Sequence, residues 1–290
     1  MGVNSKNRKG KRMAEAEAGT SDGQAVEEHL ATHCLATGMP RKRFYRARAH
    51  SNPLNDSQFP VPQSTAHVDW HSYFPDYFPD ESKPDAAFVS KDPSVTKVTI
   101  ADVGCGFGGL MINLSQLFPK ELVVGMELRD KVSEYVKERV LALRKTEPGK
   151  YDNCACIRTN SMRYMPNYFT KGQLTKLFFL FPDPHFKASN HRRRIVTRSL
   201  LAEYAFILAE GGVLYTVTDV PELGQWMSFA MEAHPLFERI EEEDLKIIDP
   251  LVYPLLTLSS EEGKKVQRNE GLTCINVFRR IKASPNLSVP

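Results

Sequence analysis

The 290-residue sequence lacks the features that mark a disulfide-stapled, zinc-binding or membrane-spanning protein. It has five cysteines, an odd number, and no two of them form a C-x-x-C pair, which disfavours a disulfide framework and a zinc site. No apolar run reaches the length needed to cross a bilayer, and the first residues are too polar for a secretory signal. We therefore expect a protein of a reducing compartment, with neither a membrane span nor a bound metal.

The sequence also has little excess of charge of either sign. Its 38 Lys and Arg residues face 35 Asp and Glu residues, so the formal net charge is only +3. A total this small says little about partners, and the distribution of the basic residues matters more. The length suits one α/β domain with tails. We predict a disordered basic tail over 1–40, an extended basic and aromatic segment over 41–95 that packs on the domain, a domain over 96–282, and a flexible end over 283–290.

The strongest local pattern is a strand, a glycine turn and a helix near residue 104. A β-branched run over 98–103 predicts a buried strand. The glycines that follow have a G-x-G-x-x-G spacing and are Gly104, Gly106 and Gly109. A second predicted strand ends on Glu127, about 20 residues later, where a carboxylate suits ribose hydroxyls. This pattern predicts a nucleoside cofactor at the carboxyl edge of a parallel sheet, although glycine loops also serve as plain turns.

Two kinds of cofactor compete for this pattern, a nicotinamide or flavin dinucleotide and S-adenosylmethionine. Asp102 lies two residues before the first glycine. A carboxylate there is tolerable beside a sulfonium and an amino group but unfavourable beside a pyrophosphate. We therefore favour S-adenosylmethionine, and an NAD(P)-dependent oxidoreductase remains the alternative.

A second informative stretch is the Pro-Asp-Pro sequence around Asp183. It follows an apolar strand predicted over 174–181, so Asp183 is held between two prolines at the ligand-binding edge of the sheet. A basic run comes directly after it and includes Lys187, Arg192, Arg193 and Arg194. A fixed acid beside a basic run suits a polyanionic substrate that presents one base to a pocket. The alternative for the run is a solvated helix face.

A basic arm near residue 45 carries the other candidate nucleic-acid contacts. Its cations surround Phe44 and Tyr45 and are Arg41, Lys42, Arg43, Arg46 and Arg48. Cations neutralise phosphates and aromatic rings stack on unpaired bases, so we favour RNA contact over a merely solvated arm.

The sequence of the last third of the chain predicts the final strands of the sheet and a long loop between the last two. A helix to about residue 209 and a strand over 213–218 are followed by a capping box formed by Asp219 and Glu222. Strands over 236–240 and 274–281 are predicted as an antiparallel pair. The polar region between them is predicted as a long loop and a plausible lid.

Five segments together resemble the catalytic subunit of eukaryotic tRNA (guanine-N7)-methyltransferases. They are RFYRARAHSNP at 43–53, ADVGCGFGGL at 101–110, GMELR at 125–129, FPDPHFK at 181–187 and EEGKKV at 261–266. The resemblance implies an α/β, Rossmann-like seven-stranded class I methyltransferase, mostly parallel, with helices on both faces of the sheet. It implies methyl transfer from S-adenosylmethionine to N7 of a variable-loop guanosine in tRNA. It also implies a heterodimer with a non-catalytic WD-repeat propeller subunit and a mainly nuclear protein.

The same resemblance assigns roles to individual residues. Asp183 would be the catalytic acidic residue. The cofactor would be bound by Gly104, Gly106, Glu127, Leu128, Arg129, Asn160, Ser161, Leu180, Ser260 and Glu262. Ser161 stands where the family usually has alanine, and Ser260 where it usually has threonine. A non-catalytic RNA-binding subunit remains a second alternative, because it explains the basic segments while leaving Asp102, Glu127 and the Pro-Asp-Pro loop unused.

Overall fold

The computed structural model describes residues 38–48, 51–55, 59–269 and 271–283. Nearly all of the predicted tail, 1–40, and of the predicted flexible end, 283–290, lies outside the described residues. The strands are β1 Val98–Val103, β2 Leu122–Glu127, β3 Cys154–Arg158, β4 Leu174–Leu180, β5 Leu208–Thr218, β6 Phe237–Ile240 and β7 Cys274–Arg280. The helices are α1 Gly109–Leu117, α2 Asp130–Thr146, α3 Ser161–Tyr168, α4 Arg198–Ile207, α5 Pro221–Glu232, α6 Glu242–Ile248, α7 Tyr253–Leu258 and α8 Glu261–Arg268.

These strands form one seven-stranded sheet in the order β3-β2-β1-β4-β5-β7-β6. Strands β1 to β5 pair in parallel, and β7 pairs antiparallel with both β5 and β6. This confirms the predicted Rossmann-like, mostly parallel class I methyltransferase fold and the antiparallel final pair. Because β1 to β4 are parallel neighbours, the turns that follow all four strands meet at one edge of the sheet.

The hydrophobic core consists of two clusters of buried side chains. One includes Ala101, Phe179 and Leu214, and the other includes Ile100, Phe178 and Tyr215, so adjacent residues of the same strands supply different clusters. Central strands buried on both faces read as continuous apolar runs, which is why the sequence revealed β4 clearly. In the N-terminal segment Phe74 is fully buried, and Trp70 lies 6.5 Å from the ring of Phe169, as predicted for rings anchored on the domain.

Several predicted boundaries are wrong in ways that the backbone explains. Helix α4 ends at Ile207, because Leu208 already pairs with Leu174 and opens β5. The predicted capping box at Asp219 does not form, since Val220 is the N-cap of α5 and the Glu222 side chain pairs with Arg194. Helix α3 was not predicted; it is short and contains Pro166.

The predicted long loop between β6 and β7 is largely helical. Helices α6 to α8 occupy it and are fixed to the domain at two points. Asp249 accepts hydrogen bonds from Lys176 Nζ at 2.8 Å and from the Tyr215 hydroxyl. A Cβ on Gly109 would lie 2.1 Å from the Ser259 carbonyl oxygen, so only glycine allows this close approach to α1. The segment is therefore a packed layer rather than a loop.

Asp102 lies beneath the glycine turn at the end of β1 and is 2% exposed. Its Oδ2 atom accepts a hydrogen bond from the Met111 N–H at 3.2 Å, which holds the first turn of α1. Burial raises the pKa of Asp102 to about 7, against the opposing effect of that hydrogen bond and with a further contribution from the charge of Glu127.

This pKa predicts a pH-dependent stability that a neutral amide would not show. Between its usual pKa of 3.8 and about 7, the folded protein holds a proton at Asp102 that the unfolded chain releases. The stability gained from that proton is complete below the lower value and is lost as the pH rises through the upper one. Asp102→Asn keeps an oxygen acceptor for Met111, so its unfolding free energy relative to wild type should rise by at least ~1 kcal/mol from the lower end of this window to the upper end. Urea unfolding of both proteins at several pH values measures the difference, and a difference that does not change with pH contradicts the prediction.

Candidate active site

A cavity opens at the carboxyl edge of the sheet, where the turns after β1 to β4 meet. Its wall is formed by Ser51, Pro53, Val103, Gly104, Met126, Glu127, Leu128, Arg129, Thr159, Asn160, Ser161, Met162, Leu180, Phe181, Pro182, Asp183, His185, Arg193 and Ile195. The structure therefore brings Asp183 into one space with seven of the predicted cofactor residues, namely Gly104, Glu127, Leu128, Arg129, Asn160, Ser161 and Leu180.

Three further predicted cofactor residues are not part of this wall. Gly106 lies just behind it, and its N–H donates to Glu127 Oε2 at 3.1 Å. Ser260 is the N-cap of α8, with its hydroxyl accepting from the Gly263 N–H at 2.9 Å. Glu262 is exposed and pairs with Lys265 at 3.0 Å. The Cα of Ser260 lies 3.8 Å from the Cβ position of Gly109, so α8 begins beside the glycine turn although it contributes nothing to the cavity wall.

The glycine turn leaves open space on its ligand side. Gly104 has φ +71°, and a Cβ built there would meet no atom within 4 Å. The N–H groups of Gly104 and Cys105 donate to the Met126 carbonyl at 2.8 and 3.2 Å, so they fasten the turn to β2. The left-handed backbone explains the glycine, and the open face leaves room for a ligand to approach the main chain.

Glu127 is the last residue of β2, and hydrogen bonds from Gly106 and Arg129 hold its carboxylate in place. Its Oε1 atom accepts from the Arg129 N–H at 2.9 Å and from Arg129 Nε at 3.0 Å, while Oε2 accepts from Gly106. Burial acts to lower the pKa of Arg129, but its hydrogen bonds to Glu127, the charge of Glu127 and that of Asp183 outweigh burial and raise this pKa. Glu127 is thus a buried, oriented carboxylate at the position that suits ribose hydroxyls.

Asn160 joins the N-terminal segment to the cavity. Its Oδ1 atom accepts from the Met162 N–H at 3.2 Å and caps α3, and its Nδ2 atom donates to the Pro53 carbonyl at 2.6 Å. Arg163 adds a hydrogen bond to the Leu54 carbonyl at 2.7 Å. Ser51 and Pro53 thereby become part of the cavity wall, which sequence reasoning missed because a proline-rich segment carries no periodicity that shows where it packs.

The loop that carries Asp183 has an unusual backbone. Phe181 and His185 flank the Pro-Asp-Pro sequence, and both have left-handed conformations with φ +50° and +46°. Residues other than glycine rarely adopt these angles, and such conformations cluster at active sites and ligand clamps. The Phe181 N–H donates to the Val217 carbonyl at 2.7 Å, which fixes the start of the loop on β5.

The predicted RNA-binding residues lie in different environments. Arg46, Arg48, Lys187 and Arg192 are exposed, and Arg43 is exposed with its guanidinium 4.8 Å from the ring of Phe44. Lys42 pairs with Glu261 at 2.5 Å and lies over the Phe107 ring, so it partly serves to hold the arm beside the glycine turn. Arg41 is half-buried and Arg193 lines the cavity.

The prediction that Arg194 contacts RNA is wrong for this structure. The residue is 1% exposed and its guanidinium pairs with Glu222 at 2.7 Å. The basic run 191–194 consists of one histidine and three arginines. Its composition alone does not indicate which of these side chains is buried.

Within the described ranges, no group of three or more His, Cys, Asp and Glu side chains is arranged to hold a metal ion. In the same part of the chain, every helix falls short of the length and apolar character that a membrane crossing needs.

Comparisons with known proteins agree with this geometry. A family described as a putative methyltransferase matches residues 96–274. A protein of Oryza sativa subsp. japonica is 59% identical over 243 residues, which cover 84% of this chain and 92% of that one. One of Arabidopsis thaliana is 57% identical over 256 residues, 88% of this chain and 97% of that one. One of Xenopus tropicalis is 51% identical over 254 residues, 86% of this chain and 92% of that one.

The two plant proteins are named tRNA (guanine-N(7)-)-methyltransferase, and the Xenopus protein is the form named with the letter A. Identity at this level over most of both chains is decisive for family membership. The chain belongs to the tRNA (guanine-N(7)-)-methyltransferase family.

Proposed function

We propose that this protein transfers a methyl group from S-adenosylmethionine to N7 of a guanine in tRNA, and that the target guanosine lies in the variable loop. The observation that carries the proposal is the single cavity that contains both the buried carboxylate of Glu127 and the proline-clamped carboxylate of Asp183. The named relatives supply the substrate class, and the resemblance in motifs supplies the variable loop.

The residues in the cavity fit S-adenosylmethionine, which supplies an electrophilic methyl group on a sulfonium centre. Glu127 is placed to accept hydrogen bonds from ribose hydroxyls. The open face of Gly104 allows close approach beside the turn. We place the adenine beside the end of β3, where Ser161 begins α3 and adds a hydroxyl to the cavity wall.

Asp183 acts on the base rather than on the cofactor. Guanine N7 carries a lone pair and no proton, so its attack on the methyl carbon needs no general base. The main contribution of the protein is alignment of N7, the methyl carbon and the sulfur. The base becomes positively charged as the bond forms, and a fixed carboxylate stabilises that charge while accepting hydrogen bonds from N1–H and N2–H.

The tRNA backbone would be held by the exposed cations near the cavity. Lys187 and Arg192 follow the Asp183 loop directly, and Arg46 and Arg48 belong to the arm whose continuation reaches the cavity wall at Ser51. Each phosphate that a cation neutralises releases counterions, so these contacts contribute affinity that falls with salt.

The WD-repeat partner subunit and the nuclear location remain proposals that rest on the resemblance. Methylation rates measured with and without a candidate propeller subunit would test the first. Imaging of the tagged full-length chain would test the second.

Removing the Asp183 carboxylate should abolish turnover without abolishing binding. Asp183→Ala loses the charge that meets the developing positive charge on the base, so kcat should fall by roughly 10²–10³. Affinities for S-adenosylhomocysteine and for tRNA should stay within about threefold of wild type, because neither depends mainly on this group. Single-turnover kinetics and calorimetry measure the two effects, and near-normal turnover would refute the role.

Charge reversal beside the Asp183 loop should weaken tRNA binding and make it less sensitive to salt. In Lys187→Glu combined with Arg192→Glu, the slope of log affinity against log salt should fall by about 0.9 for each lost phosphate contact. Lys120→Glu combined with Lys171→Glu is the matched control, since both residues are exposed but lie before β2 and β4, at the opposite edge of the sheet. Equal losses in the two proteins would show that only overall charge matters.

One assay separates the proposed function from its rivals. Tritium should pass from labelled S-adenosylmethionine into tRNA, and borohydride and aniline should then cleave the product at a variable-loop guanosine. A non-catalytic RNA-binding protein would bind tRNA without transfer. An oxidoreductase would instead show bound NADH by its absorbance and no labelled tRNA.

A further inference from the structure

The loop that carries Asp183 needs an external constraint. Two non-glycine residues in left-handed conformations, Phe181 and His185, bracket it. Such backbone conformations persist only where the surrounding structure enforces them. The hydrogen bond from the Phe181 N–H to the Val217 carbonyl fixes the first end of the loop. The second end, near His185, needs an attachment of its own.

Arg194 makes that second attachment. Its Nε atom donates to the Pro184 carbonyl at 2.9 Å, on the residue that directly follows Asp183. Its Nη2 atom donates to Glu222 Oε1 at 2.7 Å, and its guanidinium carbon lies 4.7 Å from the centre of the Trp226 ring. We call Arg194, Glu222 and Trp226 the arginine clasp.

The clasp is anchored on a rigid element. Glu222 and Trp226 are one helical turn apart on α5, which follows β5, an interior strand of the sheet. Trp226 donates from Nε1 to the Val196 carbonyl at 2.8 Å, and the His191 ring packs against it at 5.2 Å. Through Arg194, the Pro184 carbonyl is therefore held in a fixed position relative to helix α5.

Burying a guanidinium costs desolvation free energy, which a contact that only stabilises the fold need not incur. The Arg194 side chain is 2% exposed while that of Glu222 is 59% exposed, so the counter-charge is largely in water. The Nη1 atom of Arg194 is buried and has no hydrogen-bond partner among the described residues. Apolar side chains of similar volume often replace such buried charges without loss of stability. Only a forked donor, however, reaches the loop carbonyl and α5 together.

We propose that Arg194 is a positioning residue for methyl transfer. It fixes the Pro184 carbonyl and, through the one intervening peptide unit, the direction in which the Asp183 carboxylate points into the cavity. Arg193, the preceding residue, lines that cavity instead. The inference rests on the proposed function, because it assigns a role in that reaction.

Arg194→Met tests the proposal by keeping the length of the side chain and removing its donors. A misplacement of a catalytic group by about 1 Å costs on the order of 100-fold in rate, so kcat should fall about 10- to 100-fold. KM for tRNA and affinity for S-adenosylhomocysteine should stay within about threefold, because Arg194 contacts neither. Arg194→Lys keeps the charge but lacks the planar fork, so it should recover only part of the rate.

Arg239→Met is the matched control for a merely structural loss. Arg239 pairs with Glu232 at the other end of α5 at 2.5 Å, and its guanidinium lies 5.0 Å from the Phe278 ring. It therefore makes the same two kinds of contact with no link to the Asp183 loop. A comparable loss of Tm with kcat within about twofold of wild type supports the proposal, whereas an equal loss of kcat in both variants overturns it.

A double variant shows whether Arg194 acts through Asp183. When the carboxylate is absent its orientation no longer matters, so Arg194→Met should lower the rate no further in an Asp183→Ala background. Rate losses that multiply overturn the proposal. If Arg194→Met does not fold, Glu222→Gln serves in the same cycle, with an expected loss of about two- to fivefold that also disappears in the Asp183→Ala background. Wild-type protein that fails to methylate tRNA would instead refute the proposed function.

Discussion

The structure depends on the parallel pairing of β1 to β4, which brings the turns after four strands to one edge of the sheet. The chain separates Gly104 from Asp183 by almost 80 positions, yet the register of the strands places both in one cavity wall. Each turn then contributes what its own sequence provides. The glycine turn leaves open space, β2 ends on the oriented carboxylate of Glu127, and the loop after β4 carries the proline-clamped carboxylate of Asp183.

Main-chain groups hold most of this edge in place. The Met126 carbonyl fastens the glycine turn, the Gly106 N–H orients Glu127, and the Pro53 carbonyl binds Asn160. The side chains of Arg129 and Asn160 add to these contacts, and the arginine clasp holds the strained Asp183 loop. Arg193 and Arg194 are neighbours in sequence but lie in different environments: Arg193 lines the cavity, whereas Arg194 is buried and donates to the Pro184 carbonyl.

The sequence predicted the elements whose signal is local. The β-branched run, the glycine spacing and Glu127 together predicted the first two strands and their turn, which the structure confirms, and a cofactor site, which stays a prediction. It could not predict features that depend on distant contacts. The burial of Arg194 depends on Glu222 and Trp226, and no local pattern relates these residues. Helices α6 to α8 were missed because they are short and Pro250 and Pro254 interrupt their pattern, while the contacts that hold them to α1 and β4 join distant parts of the chain.

A crystal structure of the protein with S-adenosylhomocysteine tests the central claim most directly. The account predicts that the ribose lies against Glu127, that the sulfur lies between the glycine turn and the Asp183 loop, and that the Asp183 carboxylate faces the space next to that sulfur. S-adenosylhomocysteine bound elsewhere on the chain, or an Asp183 carboxylate turned out of the cavity while the ligand is bound, would contradict it.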